Sequence, residues 1–122
     1  MTSYRLGDVI LVDIAFSGAV GYKRRPAVVI STVAFNSAGI KLIVAAVTNN
    51  LSPPFRPGDT LLQDWKAAGL LKPSAVRGVL ATVDKSDVVR KLGAISVVDL
   101  ASVDQGIAEI LGFTVIESPP IP

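Results

Sequence analysis

The chain has 122 residues, half of them apolar, which suits one domain built on a single core. It contains neither cysteine nor histidine, which excludes disulfides, thiolate chemistry, Cys-based zinc sites and an imidazole general base, and fits a reducing cytosol. Net charge is only +2, but all twelve Lys and Arg precede residue 99, whereas Asp99, Asp104, Glu109 and Glu117 carry the remaining segment. A basic body with an acidic end points to a polyanion partner for the body.

The N-terminal residues Met1 to Asp8 lack the basic-then-apolar pattern of a secretory signal. Gly7-Asp8 is a turn signal, and Val9 to Ile14 is a β-branched strand. Ala15 to Tyr22, with Gly18 and Gly21, reads as a long connection. Lys23-Arg24-Arg25 follows, directly before Pro26 and the strand Ala27 to Thr32. Proline fixes φ and has no N–H, so Pro26 suits the first position of that strand. The three cations then lie on a loop at its mouth, and phosphate is the anion such a cluster would receive. A solvated loop that keeps a strand edge soluble is the ordinary alternative.

Asn36 to Gly39 reads as a turn before a third strand, Ile40 to Val47. The longest apolar stretch, Leu42 to Val47, is far shorter than the ~20 residues of a membrane-spanning helix. The expectation is a soluble cytoplasmic protein with no membrane association. Thr48 to Asp59 is a second long loop, rich in Asn, Ser and Pro, with Arg56 as its one cation. Thr60 to Leu62 is a short strand, and Asp64 to Ala68 a short helix ended by Gly69. Ala75 to Val83 is a further strand, Asp84-Lys85-Ser86 a turn and Leu92 to Ile95 a last short strand. Val97, Leu100, Val103, Ile107, Ile110 and Leu111 recur at helical spacing, with Ser96 or Asp99 as cap and Gly112 as stop. Strands apolar on both faces suit a small β-barrel more than a one-sided sheet.

In order and spacing these landmarks resemble the MazF/PemK-type toxins of type II toxin–antitoxin systems over roughly residues 4–112. The resemblance rests on Tyr4-Arg5-Leu6-Gly7-Asp8-Val9-Ile10-Leu11-Val12-Asp13, Arg25-Pro26-Ala27-Val28-Val29-Ile30-Ser31 and Phe35-Asn36. It continues through Ala45-Ala46-Val47-Thr48, Leu71-Lys72-Pro73-Ser74, Thr82-Val83-Asp84-Lys85 and Leu92-Gly93. It implies a mainly β, SH3-like barrel of the CcdB/PemK/MazF type with short helices and a C-terminal α-helix, spanning residues 1–112 with a tail at 113–122. It also implies a homodimer, a cognate antitoxin as partner, and metal-independent, cofactor-free cleavage of single-stranded RNA, hence of mRNA.

RNA carries its own nucleophile, the 2′-OH. A site must orient it, stabilise the extra charge on phosphorus and move protons. The family's functional arginine precedes its Pro-led strand, which implies Arg25 as the residue that stabilises transition-state charge. A planar guanidinium suits a bidentate clamp on phosphate oxygens. The family's functional threonine ends the strand before the second loop, which implies Thr48, whose hydroxyl can donate to phosphate and accept from the 2′-OH. Closing a turn onto its own backbone is that residue's alternative. Lys23, Arg24, Arg56 and Arg77 are expected to contact RNA phosphates, and Asn49, Asn50 and Phe55 to select bases by hydrogen bonding and stacking. Lys72, Lys85 and Arg90 are read as structural or surface cations, and Trp65 as a core or interface residue.

One departure bears on mechanism. Many members place an acidic or Gln-containing stretch in the first loop, but Ala15 to Tyr22 has no carboxylate. The general base is therefore unassigned: Asp13 stands at a strand end, and Tyr22 is a base only as phenolate. Two other readings stay open, a CcdB-like poison of DNA gyrase and a catalytically inactive homologue that binds RNA or antitoxin.

Overall fold

The computed structural model describes residues 3–14 and 23–113. Among these, six strands and two helices follow in the order β1 (Asp8–Ile14), β2 (Lys23–Val29), α1 (Val33–Ala38), β3 (Lys41–Thr48), β4 (Thr60–Leu61), β5 (Ala75–Asp84), β6 (Val88–Ala94) and α2 (Val97–Leu111). All pairs are antiparallel, in one sheet of order β4-β5-β3-β2-β1-β6. The mainly β class with a C-terminal helix agrees with the sequence. The connection expected over Ala15 to Tyr22, including Tyr22 as a base, and the tail beyond Phe113 lie outside the described residues.

The strands are apolar on both faces because both faces are covered. Val9, Val28, Ala45, Val47 and Val76 pack with Leu62, Ala68, Leu70 and Val103, with Leu100 and Ile107 of α2 against them. The alternate residues Ile10, Val12, Ala27, Val29, Leu42 and Val44 form a second cluster on the other face. Burying one such side chain contributes roughly 1.5–3 kcal/mol, so the four central strands are the stable part of the molecule.

The ladder is not closed into a barrel among the described residues: β4 and β6 are its edges. Backbone contact replaces the missing pairing. Gly69 has φ +89°, and a Cβ there would lie 2.2 Å from the Leu92 carbonyl oxygen. A Cβ on Gly93 would lie 2.5 Å from the Ala68 carbonyl oxygen. Two glycines thus let the segment after β4 lie directly on β6. That segment makes turns, with Ala68 N–H donating to Asp64 O at 3.1 Å, instead of the expected helix over Asp64 to Ala68. Asp99 holds it to α2: its buried carboxylate accepts from Gln63 N–H at 3.0 Å and Asp64 N–H at 2.9 Å. The α2 cap falls to Ser96, whose Oγ accepts from Asp99 N–H at 3.1 Å. Gly112 ends the helix in the left-handed region at φ 76°.

Three other elements differ from the sequence reading. Asn36 lies in α1, where a turn was expected. Thr32 caps that helix, and the buried Asn36 side chain donates to Tyr4 O and Ser31 O, each at 3.0 Å. β6 starts at Val88, four residues before the expected Leu92. Most importantly, β2 starts at Lys23, so Lys23-Arg24-Arg25 is strand and not a loop at a strand's mouth. Pro26 sits inside β2, paired with Leu11 of β1. Val29 O accepts from Gly7 N–H and Ile30 N–H donates to Ile43 O, so backbone groups alternate between β1 and β3 and the Pro26 nitrogen falls on the β3 side. There the β2–β3 ladder stops at Ala27, so the absent N–H removes no pair.

Candidate functional site

A groove of about 480 Å³ opens where β2 and β3 run past the end of their ladder. The last pair is Ala27 with Ala46; carrying that register on by two residues sets Arg25 opposite Thr48. Strand alternation puts both on one face. Both line the groove, and Asn49 does so beside them. Its apolar floor is Leu11, Pro26, Val47, Leu70 and Leu92. The far wall brings Lys72, Ser74 and Arg90, with Gly69 and Leu71 between. No carboxylate of the described residues lines it.

Arg25 is exposed and makes no side-chain hydrogen bond or ion pair with any described residue. Arg24, on the opposite face, is spent differently. Its Nε donates to Asp13 Oδ1 at 3.0 Å, and this hydrogen bond, with the attraction between the charges, raises the Arg24 pKa further above its ordinary value. Asp13 is therefore held by a cation instead of standing free as a base. Lys23 shares the Arg25 face two residues along β2 but does not line the groove.

Thr48 lines the groove and also makes the expected turn contact. Its Oγ1 accepts from Asn50 N–H at 3.0 Å, closing the turn out of β3. A hydroxyl has one donor and two lone pairs, so its O–H and one lone pair stay available. Asn50 Oδ1 accepts from Ser52 N–H at 3.2 Å, so this side chain also shapes the loop. Arg56, Phe55 and Arg77 do not line the groove. The Arg56 backbone turn is fixed by Asp59, whose Oδ2 accepts from Arg56 N–H at 3.0 Å while Oδ1 accepts from Gly78 N–H at 3.1 Å. Arg77 sits half-buried beside Gly78, where the β3–β5 register shifts.

The structure thus brings together Arg25, Thr48 and Asn49 and leaves Lys23, Arg24, Asn50, Phe55, Arg56 and Arg77 outside the groove lining. It adds Lys72, Ser74 and Arg90. Arg90 faces Leu11 across the β1–β6 ladder, and Leu11 faces Pro26 across β1–β2, so Arg90, Leu11 and Pro26 form one row across three strands. The Leu71-Lys72-Pro73-Ser74 motif was visible in the sequence, but the fold-back of this segment onto β6 depends on Gly69 and Gly93 and has no local signature.

Among the described residues no helix is long and apolar enough to cross a membrane, and no cluster of three acidic side chains could hold a metal ion. No curated protein matches the sequence. Solved structures match closely in fold. An endoribonuclease from Mycobacterial species aligns with TM-score 0.73 at 16% identity, covering 95% of this chain and 98% of that one. The Mycobacterium tuberculosis toxin MazF-mt6 aligns with TM-score 0.72 at 15% identity, over 88% and 99% of the two chains. A MazE–MazF structure from Deinococcus radiodurans aligns with TM-score 0.71 at 20% identity, over 93% and 100%. The sequence model of the PemK-like, MazF-like toxins of type II toxin–antitoxin systems matches residues 5–111, nearly the whole chain, and this protein therefore belongs to that family.

Proposed function

We propose that the protein is the toxin of a type II toxin–antitoxin pair and an endoribonuclease that cleaves single-stranded RNA in the groove between β2 and β3. One observation carries the reading: Arg25 and Thr48 oppose each other past the end of a ladder, on a groove that no carboxylate of the described residues lines. An anionic phosphate meets no like charge there, and Arg25 has no protein partner to surrender among the described residues.

The reaction is attack of the RNA 2′-oxygen on the adjacent phosphorus. The 2′-OH loses its proton, the P–O5′ bond breaks, and the 5′-oxygen takes up a proton as it leaves. Products are a 2′,3′-cyclic phosphate and a 5′-OH end. Charge grows on the non-bridging oxygens, where the Arg25 guanidinium stabilises it by paired, charge-assisted hydrogen bonds. The free O–H of Thr48 donates to phosphate, while its remaining lone pair accepts from the 2′-OH and fixes the attack angle. Asn49 faces the neighbouring base. Because the nucleophile belongs to the substrate, the reaction needs no metal-bound hydroxide.

The same reading places the protein in the cytoplasm, as a homodimer bound and silenced by a cognate antitoxin. The Mycobacterial endoribonuclease whose structure includes its cognate antitoxin supports the antitoxin partner, as does the MazE–MazF pair of Deinococcus radiodurans. The test is incubation of the purified protein with mixed-sequence single-stranded RNA in EDTA. Cleavage to cyclic-phosphate ends, lost in Arg25→Ala, is expected. Intact RNA together with inhibited DNA gyrase overturns the reading in favour of a gyrase poison.

A further inference from the structure

We propose that Lys72 and Arg90 form a second cationic wall of the groove, gripping the RNA backbone from the β6 side while Arg25 and Thr48 hold the reacting phosphate from the β2–β3 side. The inference rests on the RNA-cleavage reading and deepens it.

Three cations, Arg25, Lys72 and Arg90, line one groove that no carboxylate of the described residues lines. None of the three has an ion pair among the described residues, whereas Arg24 is paired with Asp13, Lys41 with Asp84, and Lys91 with Asp8 at 3.0 Å. Lys91 adjoins Arg90 in β6, yet Lys91 is paired with Asp8, whereas Arg90 lines the groove. Like charges collected around one cavity oppose folding, so their placement has its return in a polyanion.

Neither side chain rides on a loose element. Arg90 lies in β6, directly opposite Leu11. Lys72 lies in a short bend closed by Ser74, whose Oγ donates to Lys72 O at 2.8 Å, and anchored where Leu62 N–H donates to Ser74 O at 3.0 Å. The Gly69 approach to Leu92 pins the start of that bend to β6. Arg90 and Pro26 are separated by one strand, hence by roughly 10 Å at the backbone. Long side chains from both walls therefore serve one strand of RNA lying across the groove. Contacts of this kind set affinity and orientation and not sequence.

The experiment measures binding and cleavage separately. Binding uses a fluorescent, mixed-sequence 12-mer RNA with every 2′-OH methylated, titrated across a range of salt. For single strands each neutralised phosphate contributes a slope of about −0.7 to log affinity against log salt. Lys72→Gln and Arg90→Gln are each expected to flatten the slope by about 0.7 and weaken binding three- to tenfold, with the double variant flattening it by about 1.4. Arg90→Lys restores the slope, which a merely structural role would not do, and Lys85→Gln, outside the groove, leaves it unchanged. In cleavage, kcat/KM falls in the double variant with kcat nearly retained, whereas Arg25→Ala loses kcat. An unchanged slope in a folded double variant while the wild type still cleaves overturns the second wall alone. The expected slopes in a protein that cleaves no RNA overturn the cleavage reading alone. Equal flattening by Lys85→Gln, or no binding by the wild type, also overturns the wall.

Discussion

Two grooves of nearly equal size lie on this molecule, and they are chemically opposite. Among the described residues, the first, about 480 Å³, carries Arg25, Lys72 and Arg90 and no acid. The second, about 460 Å³, is enclosed by Ile30, Ile43, Leu80, Ile107, Ala108, Leu111 and Phe113, with Asp104 as the one charge of the described residues there. Volume does not distinguish them. What does is whether polar groups converge unpaired on the space: in the first, cations have no ion-pair partner among the described residues and a hydroxyl keeps its proton free. In the second, one carboxylate is desolvated against hydrocarbon. The first is arranged for a charged ligand, whereas the second is the partly open seam between α2 and the sheet.

The sharpest way to break that contrast is Arg25→Ala. Losing one charge-stabilising donor typically lowers kcat 10²- to 10³-fold, and a loss of that size is expected in the RNA assay. Arg25 is exposed, so the thermal midpoint should barely move. A loss below threefold would mean that the first groove is not where the reaction occurs. The corresponding cut in the second groove, truncation of the exposed Phe113, should leave cleavage unchanged.

The wall of the first groove can be broken without touching a polar group. Gly69→Ala puts a methyl 2.2 Å from the Leu92 carbonyl oxygen at a φ of +89°. Strain of this kind costs about 3 kcal/mol, to be read by chemical denaturation. Gly112→Ala, at φ +76° with open space around it, should cost only ~1 kcal/mol. Equal losses at the two positions would show that the close approach of the 68–70 segment to β6 is not what shapes the groove.

These positions also show what the sequence could and could not reveal. Helical spacing from Val97 to Leu111, with Ser96 before it and Gly112 after it, made α2 legible because a helix writes its period and caps into adjacent residues. Motif order singles out Arg25 and Thr48, and the structure sets both on one groove. The triplet falls in a strand and not on a loop because Pro26 lies inside β2 and does not start it. A proline inside a strand is tolerated only where the neighbouring ladder has ended, and pairing with β3 is not written locally. The split of the triplet, Arg24 to Asp13 and Arg25 to the groove, follows from that same register. That Lys72 and Arg90 line the groove was unreadable because two glycines distant in sequence bring their segments together. The six-residue α1 is too short to show a period.

Thr48 tests how the first groove divides its labour. Thr48→Val keeps the β-branched shape but removes the hydroxyl. A hydrogen bond to a charged group contributes ~1.5–3 kcal/mol, so kcat/KM should fall about 10- to 100-fold. Thr48→Ser should retain most activity, because it preserves both the turn bond to Asn50 N–H and the donor. If Val and Ser behave alike, the hydroxyl serves the turn only.

The smallest effect belongs to the second groove and concerns pH. Burial raises the Asp104 pKa above its ordinary value. No other titratable side chain of the described residues lines that space, and desolvation is the cause. As pH rises, the unfolded chain gives up this proton before the folded one does. The contribution of Asp104 to stability is therefore fully present below the unfolded pKa and is lost as pH climbs through the folded one. Asp104→Asn fixes a neutral side chain of the same shape. It should stabilise the protein at neutral pH, and the gain should shrink as pH falls through the carboxylate range. The gain should stay below ~0.5 kcal/mol, since solvent still reaches and screens the carboxylate. RNA cleavage should be unaffected at every pH. A variant less stable than wild type at neutral pH would show instead that the Asp104 charge has a favourable partner, and the second groove would then resemble the first.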